Sequence, residues 1–166
     1  MPVVEHNPPY GFEIESVLSA PPEAVWSRIS TPEGINDEFR PLARMTFPSW
    51  VRRITPESVP FGRCLCRSWI LLFGILPTEY DDVTFLEVEP GRRFLESSAM
   101  LSQKRWVHER TLEAAGEGCR LRDRVSFEPR LPLTGVLYRP IFRFFFRHRH
   151  GRLRRRFGEL REVRSP

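Results

Sequence analysis

The sequence is poor in the features that tie a chain to several common chemistries. It has three cysteines, Cys64, Cys66 and Cys119, an odd number that builds no disulfide framework. Cys64 and Cys66 would share one face of a strand, but no second pair completes a four-ligand zinc site. His148 and His150 diverge by roughly 200° on a helix, so no metal is expected. No glycine-rich phosphate loop and no serine nucleophile elbow occurs, and no cofactor is expected. The apolar runs at 69–76 and 136–146 are too short, or too broken by Gly, Arg and Pro, to span a bilayer. Residues 1–10 carry Glu5, His6 and three prolines instead of a basic segment followed by an apolar run. A cytoplasmic location is the expectation.

What is present is apolar ring surface. Thirteen Phe stand beside only three Tyr in 166 residues, which suits a large core or an apolar cavity. The length predicts one domain over 1–166, with a core at about 10–161. The net charge of +5 is concentrated: residues 143–164 hold nine arginines and two glutamates, so that segment carries +7 and the remainder −2. Arg152, Arg154, Arg155 and Arg156 suit either a solvated helix face or peripheral contact with an anionic membrane. No aromatic residue lies among them to stack on bases, which weighs against nucleic acid.

The periodicities give an order of elements. Residues 10–20 alternate Phe12, Ile14 and Leu18 against Glu13 and Glu15, the pattern of a half-buried strand. Pro21-Pro22-Glu23 opens a first short helix, and a second is read over 35–45. Five strands then follow, over 63–72, 78–89, 92–102, 105–114 and 119–129, punctuated by turn signals such as Pro90-Gly91 and Glu117-Gly118. From 133 to 163 the spacing becomes helical, with Tyr138, Phe142, Phe146, Leu153, Phe157 and Leu160 on one stripe. Pro140 predicts a kink or a start near Arg139. The class is α+β: a curved antiparallel sheet of six or seven strands on a long C-terminal helix. Because a curling sheet departs from a straight rod, such a pair encloses space.

Four stretches resemble the START-like helix-grip superfamily, also called SRPBCC. They are Ala20-Pro21-Pro22-Glu23-Ala24-Val25-Trp26, Pro32-Glu33-Gly34-Ile35-Asn36-Asp37-Glu38, Trp106-Val107-His108-Glu109-Arg110, and Phe145-Phe146-Arg147-His148-Arg149-His150 with Leu153 and Phe157. The second is similar to a bacterial subgroup without an assigned reaction. The resemblance covers about Tyr10 to Leu160 and implies the helix-grip fold. Polyketide cyclases, dehydratases and lipid-transfer domains share that superfamily, so function rests on the site.

Strand parity supplies candidates for the site. One face reads Trp106, His108, Arg110 and Leu112; another reads Leu121, Asp123, Val125 and Phe127; a third reads Phe94, Glu96, Ser98 and Met100. Each apolar face thus contains charge: Glu96, His108, Arg110 and Asp123. Either these groups pair with one another, or they anchor a mainly apolar ligand. In the second case Arg110 would hold an anionic group, and His108 is the natural proton shuttle of a cyclase- or dehydratase-type enzyme. Arg149 falls on the helix stripe, with Glu96, Glu109 or Asp123 as partner and His148 and His150 at its boundary. Trp69, Met100, Trp106, Phe127, Phe142 and Phe146 are the expected apolar lining. The favoured reading is carriage of a lipid, a polyketide-like or an aromatic compound. An interaction module using the basic helix is the third.

Overall fold

The computed structural model describes residues 8–160. The chain runs β1 (Tyr10–Leu18), α1 (Pro22–Ile29), α2 (Pro32–Phe39), β2 (Ala43–Met45), β3 (Cys66–Leu72), β4 (Leu76–Val83), β5 (Phe85–Glu89), β6 (Arg93–Met100), β7 (Gln103–Ala115), β8 (Gly118–Pro129) and α3 (Gly135–Phe157). The sheet is antiparallel in the order β1-β8-β7-β6-β4-β3-β2, with β5 on β6. The expected α+β architecture is present: a curled sheet grips α3, and two short helices follow the first strand.

Two boundaries differ from the expectation. The second helix stops at Phe39 instead of continuing to Met45, and 43–45 pairs with β3. The cause is Pro41: the residue before a proline is driven out of the helical region, and Arg40 is extended at φ −62, ψ 144. The stretch 78–89 is two strands, because β6 pairs its Met100 end with β4 and its Glu96 end with β5. Helix α3 runs through Pro140 from Gly135 and ends at Gly158, which takes a positive φ of 77. The chain then returns along β1, where Leu160 N–H donates to Val17 O. Arg161, Glu162, Val163 and Arg164 of the expected helical tail lie outside the described residues.

The interior is layered along the strands. One apolar cluster holds Leu18, Trp26, Ile29, Phe85, Leu112, Leu121 and Leu153. The other holds Phe12, Met100, Trp106, Val125, Phe127 and Phe146. Ser16, His108, Arg110, Asp123, Arg149 and His150 fall between them on β1, β7, β8 and α3. Period-two and helical spacing bring one polar step per element to the same level. Outside, Glu13 and Glu15 of β1 meet Arg120, Arg122 and Arg124 of β8 across the neighbouring strands.

Candidate functional site

A cavity of about 280 Å³ lies between the sheet and α3. Helix α3 rests on β1 and β8, so the open space is over β3, β4 and β6 on the other side. Its walls are Tyr138, Phe142 and Phe146 from the helix and Ile70, Met100 and Trp106 from the sheet, with Ile29 and Phe39 from the short helices. Five of its polar groups, Asp81, Glu96, His108, Arg110 and Arg149, border the buried ion network, and Glu79 and Thr78 of β4 also line the cavity.

The ion network is dense. Asp123 is fully buried and Oδ1 accepts from Arg110 Nε at 2.7 Å while facing His108 Nε2 at 2.8 Å. Its Oδ2 accepts from Arg110 Nη2 at 2.7 Å and faces His150 Nε2 at 2.9 Å. Arg110 also grips Glu38 through Nη1 at 2.8 Å and Nη2 at 3.0 Å, and Arg149 Nε donates to Glu38 Oε2 at 2.9 Å. The Arg149 guanidinium is sandwiched 4.6 Å from the Phe39 ring and 4.8 Å from that of Phe146. His150 Nδ1 lies 2.7 Å from Ser16 Oγ, which accepts from Arg154. Burial pushes the Asp123 carboxyl up, but Arg110 and His108 outweigh it and hold the group well below the carboxylate range. Glu38 is lowered for the same reason: Arg110 and Arg149 overcome its desolvation.

A second carboxyl pair lies on the cavity side. Strands β4 and β6 are neighbours, which places Asp81 beside Glu96 and Ser98. Ser98 Oγ donates to Glu96 Oε1 at 2.7 Å. His108 Nδ1 is 3.7 Å from Glu96 Oε2. Burial raises Asp81, and the adjacent Glu96 charge raises it further, to well above the usual range. Glu96 moves the other way, because hydrogen bonds from His108, Asp81 and Ser98 overcome its desolvation.

Eight of the expected site residues line the cavity: Glu96, Met100, Trp106, His108, Arg110, Phe142, Phe146 and Arg149. Three do not. Trp69 is 40% exposed and packs outside on Tyr80, because Ser68 and Ile70 take the inward parity of β3. Asp123 and Phe127 point inward as expected, yet β8 lies beneath α3, so both are sealed behind Arg110, Trp106 and Phe142. Arg149 pairs with Glu38, none of the three carboxylates expected. His150 is fully buried in the network, not at a boundary; His148 is half-buried and bonds Arg40 O.

Glu38 and Asp81 were missed, although both left a trace. Glu38 shares the α2 face of Ile35 and Phe39, and Asp81 shares the parity of Val83 on β4. Glu38 reaches inward because Gly34 lets α2 pack on α1: a Cβ there would lie 1.8 Å from Arg28 O.

Burial pushes the Cys66 and Cys119 thiols up to about 11, which suits packing better than nucleophilic chemistry. Among the described residues no group of three or more His, Cys, Asp or Glu is placed to hold a metal ion. No helix among them is long and apolar enough to cross a membrane. Of the basic run, Arg152 donates to Asp37 O at 3.0 Å, Arg154 lies 3.6 Å from Glu159 and Arg156 lies 3.5 Å from Asp37, while Arg155 is exposed.

Known proteins bear on the fold. Protein CV1439 from Chromobacterium violaceum superposes with a TM-score of 0.70 at 16% identity, over 92% of this chain and 99% of that one. A START superfamily protein from Mycobacterium smegmatis gives 0.63 at 10% identity, over 89% and 96%. DynU16, from the dynemicin biosynthetic locus, gives 0.56 at 17% identity, over 90% of this chain and 48% of that one. Identities this low carry the START-like architecture and nothing of chemistry. No curated protein matches the sequence. The family described as domain of unknown function (DUF8410) matches residues 16–157, from the buried Ser16 of β1 to the last residue of α3, and the chain belongs to it.

Proposed function

We propose that this protein binds or carries a small, mainly apolar molecule in the cavity between the sheet and α3. The observation that carries the reading is the composition of the lining: walls mostly aromatic and aliphatic, with a small number of charged groups among them. The lining is mostly apolar, so water fills the space poorly and an apolar occupant would bury that surface. A chain that keeps such a space gains most when it is filled. Lipid, polyketide-like and aromatic compounds all fit this chemistry. The geometry favours carriage over acid–base catalysis, because both ring nitrogens of His108 face carboxylates instead of the cavity. Native mass spectrometry of the freshly purified protein tests the reading, followed by denaturing extraction. The expected result is a stoichiometric, mainly apolar adduct, and occupants with no apolar body would sink it.

One feature favours loading from an anionic bilayer. Leu72 and Thr78 of the β3–β4 hairpin and Ile141 and Phe145 of α3 border the cavity. Beside them Ile75 is 82% and Leu133 83% exposed, and Phe73, Leu137 and Phe144 are also exposed. Exposed apolar side chains on the hairpin and on α3 suit an interface, and Arg139, Arg143 and Arg147 lie with Phe144 on the β1 side of the helix. Arg152, Arg154 and Arg156 have surface partners in Asp37 and Glu159, although Arg155 and Arg156 stay exposed, so the rim of the cavity is proposed as the first point of contact. Co-sedimentation with vesicles containing phosphatidylglycerol should be reduced severalfold by Ile75→Ser with Leu133→Ser. Unchanged binding in that variant would remove the rim from consideration.

A further inference from the structure

Most of the charge on the cavity wall is engaged within the protein. Arg110 gives Nε and both terminal nitrogens to Asp123 and Glu38. Glu96 accepts from Ser98 Oγ and faces His108, and Glu79 accepts from the Tyr80 N–H and from the N–H and hydroxyl of Ser102. Arg149 differs. It is 6% exposed and lines the cavity, yet among the described residues it makes one hydrogen bond, from Nε to Glu38 Oε2. Its Nη1 and Nη2 have no acceptor there and, unlike Arg28 Nε or Arg143 Nε, they are not shut in by the fold. Phe39 and Phe146 cover the guanidinium at 4.6 and 4.8 Å, so a polar group reaches it along its edge, in its plane. With Nε turned to Glu38, the edge left for the cavity is the Nη1–Nη2 pair.

We propose that the ligand carries a carboxylate at one end of its apolar body, and that Arg149 Nη1 and Nη2 hold it end-on. The inference rests on the cavity-binding reading and adds the head group. A planar carboxylate meets the two nitrogens with parallel N–H···O bonds and fits the slot between the rings. The charge of Arg149 is incompletely answered inside the protein, because Glu38 is shared and Arg110 makes two of the three bonds it accepts. Of the acids on the wall, Asp81 is held above the carboxylate range by burial and by Glu96, which lessens the repulsion of an incoming anion. An ammonium head would meet like charge at Arg149, and an amide would set its own N–H₂ against one of the two donors.

Calorimetric titration at pH 7 with near-isosteric probes tests this: 2-naphthoate, 2-naphthamide, 2-methylnaphthalene and 2-naphthylmethylammonium. 2-Naphthoate should bind at least about 10-fold more tightly than 2-naphthamide, the contribution of a charge-assisted hydrogen bond. Arg149→Lys keeps the charge but loses the paired nitrogens, and should narrow that ratio severalfold. Arg149→Met should abolish the preference while leaving 2-methylnaphthalene bound, a change of selectivity that a purely structural arginine would not produce. A preference that survives Arg149→Met would overturn the assignment to Arg149. Equal affinity of 2-naphthoate and 2-naphthamide in the natural protein, or tighter binding of the ammonium, would overturn the carboxylate and leave the cavity reading intact. Failure of every naphthalene to bind, 2-methylnaphthalene included, would overturn the cavity reading itself, and the carboxylate with it.

Discussion

The two ends of the buried polar layer are built from the same residue types and behave as opposites. Around Asp123, two guanidinium nitrogen–oxygen bonds and two imidazoles surround one carboxylate, drawn from β7, β8 and α3. Around Asp81, an acid faces an acid on the cavity wall. The first arrangement is saturated and holds β7, β8, α2 and α3 in register. The second sets two acids side by side and borders the cavity. Depth separates them: α3 seals β8, whereas it stands away from β4 and β6.

Removing charge at either end breaks or sharpens the contrast. The largest effect belongs to Asp123→Ala, which strands Arg110, His108 and His150 in the interior. It should cost about 3–5 kcal/mol in urea denaturation, and a loss below 1 kcal/mol would mean the network is not structural. Arg149→Met should cost less, about 1–3 kcal/mol, since Arg110 still satisfies Glu38.

The pH dependence has opposite signs at the two ends. Asp123 and Glu38 are lowered from ordinary values of 3.8 and 4.5, so their stabilisation is present above those values and is lost as pH falls below about 4. Asp81 is raised from 3.8, so its contribution is full below that pH and declines as pH rises toward the folded value. Asp81→Asn should therefore be neutral or raise the melting temperature at pH 7 and bring no gain at pH 3, in scanning calorimetry. A clear destabilisation at pH 7 would show that Asp81 is part of the structural network after all. The smallest effect is expected at the exposed Arg155, where alanine should change stability by less than about 0.5 kcal/mol.

Much of this was legible locally. The alternation of Phe12, Ile14 and Leu18 marks β1, and the parity of Trp106, His108 and Arg110 aims β7 inward; both hold in the structure. The errors have local causes too. The run 35–45 looks helical by its apolar spacing, but Pro41 overrides it through Arg40. Trp69 lies on a strand apolar on both parities, where periodicity cannot choose a side. Glu38 was hidden by distance: it is 72 residues from Arg110 and 111 from Arg149, and a local pattern carries no sign of such partners.

By itself the sequence determined the kind and order of the elements and the inward face of most of them. Those follow from side-chain periods of two and 3.6, which are properties of neighbouring residues. The tertiary structure alone decided which inward residues meet one another and which meet empty space. That depends on where a curved sheet parts from a straight helix: over β8 there is contact, and over β4 and β6 a cavity of about 280 Å³. Asp123 and Asp81 are therefore similar acids on inward-facing strand positions, and only their depth beneath α3 puts one inside the ion network and the other on the cavity wall.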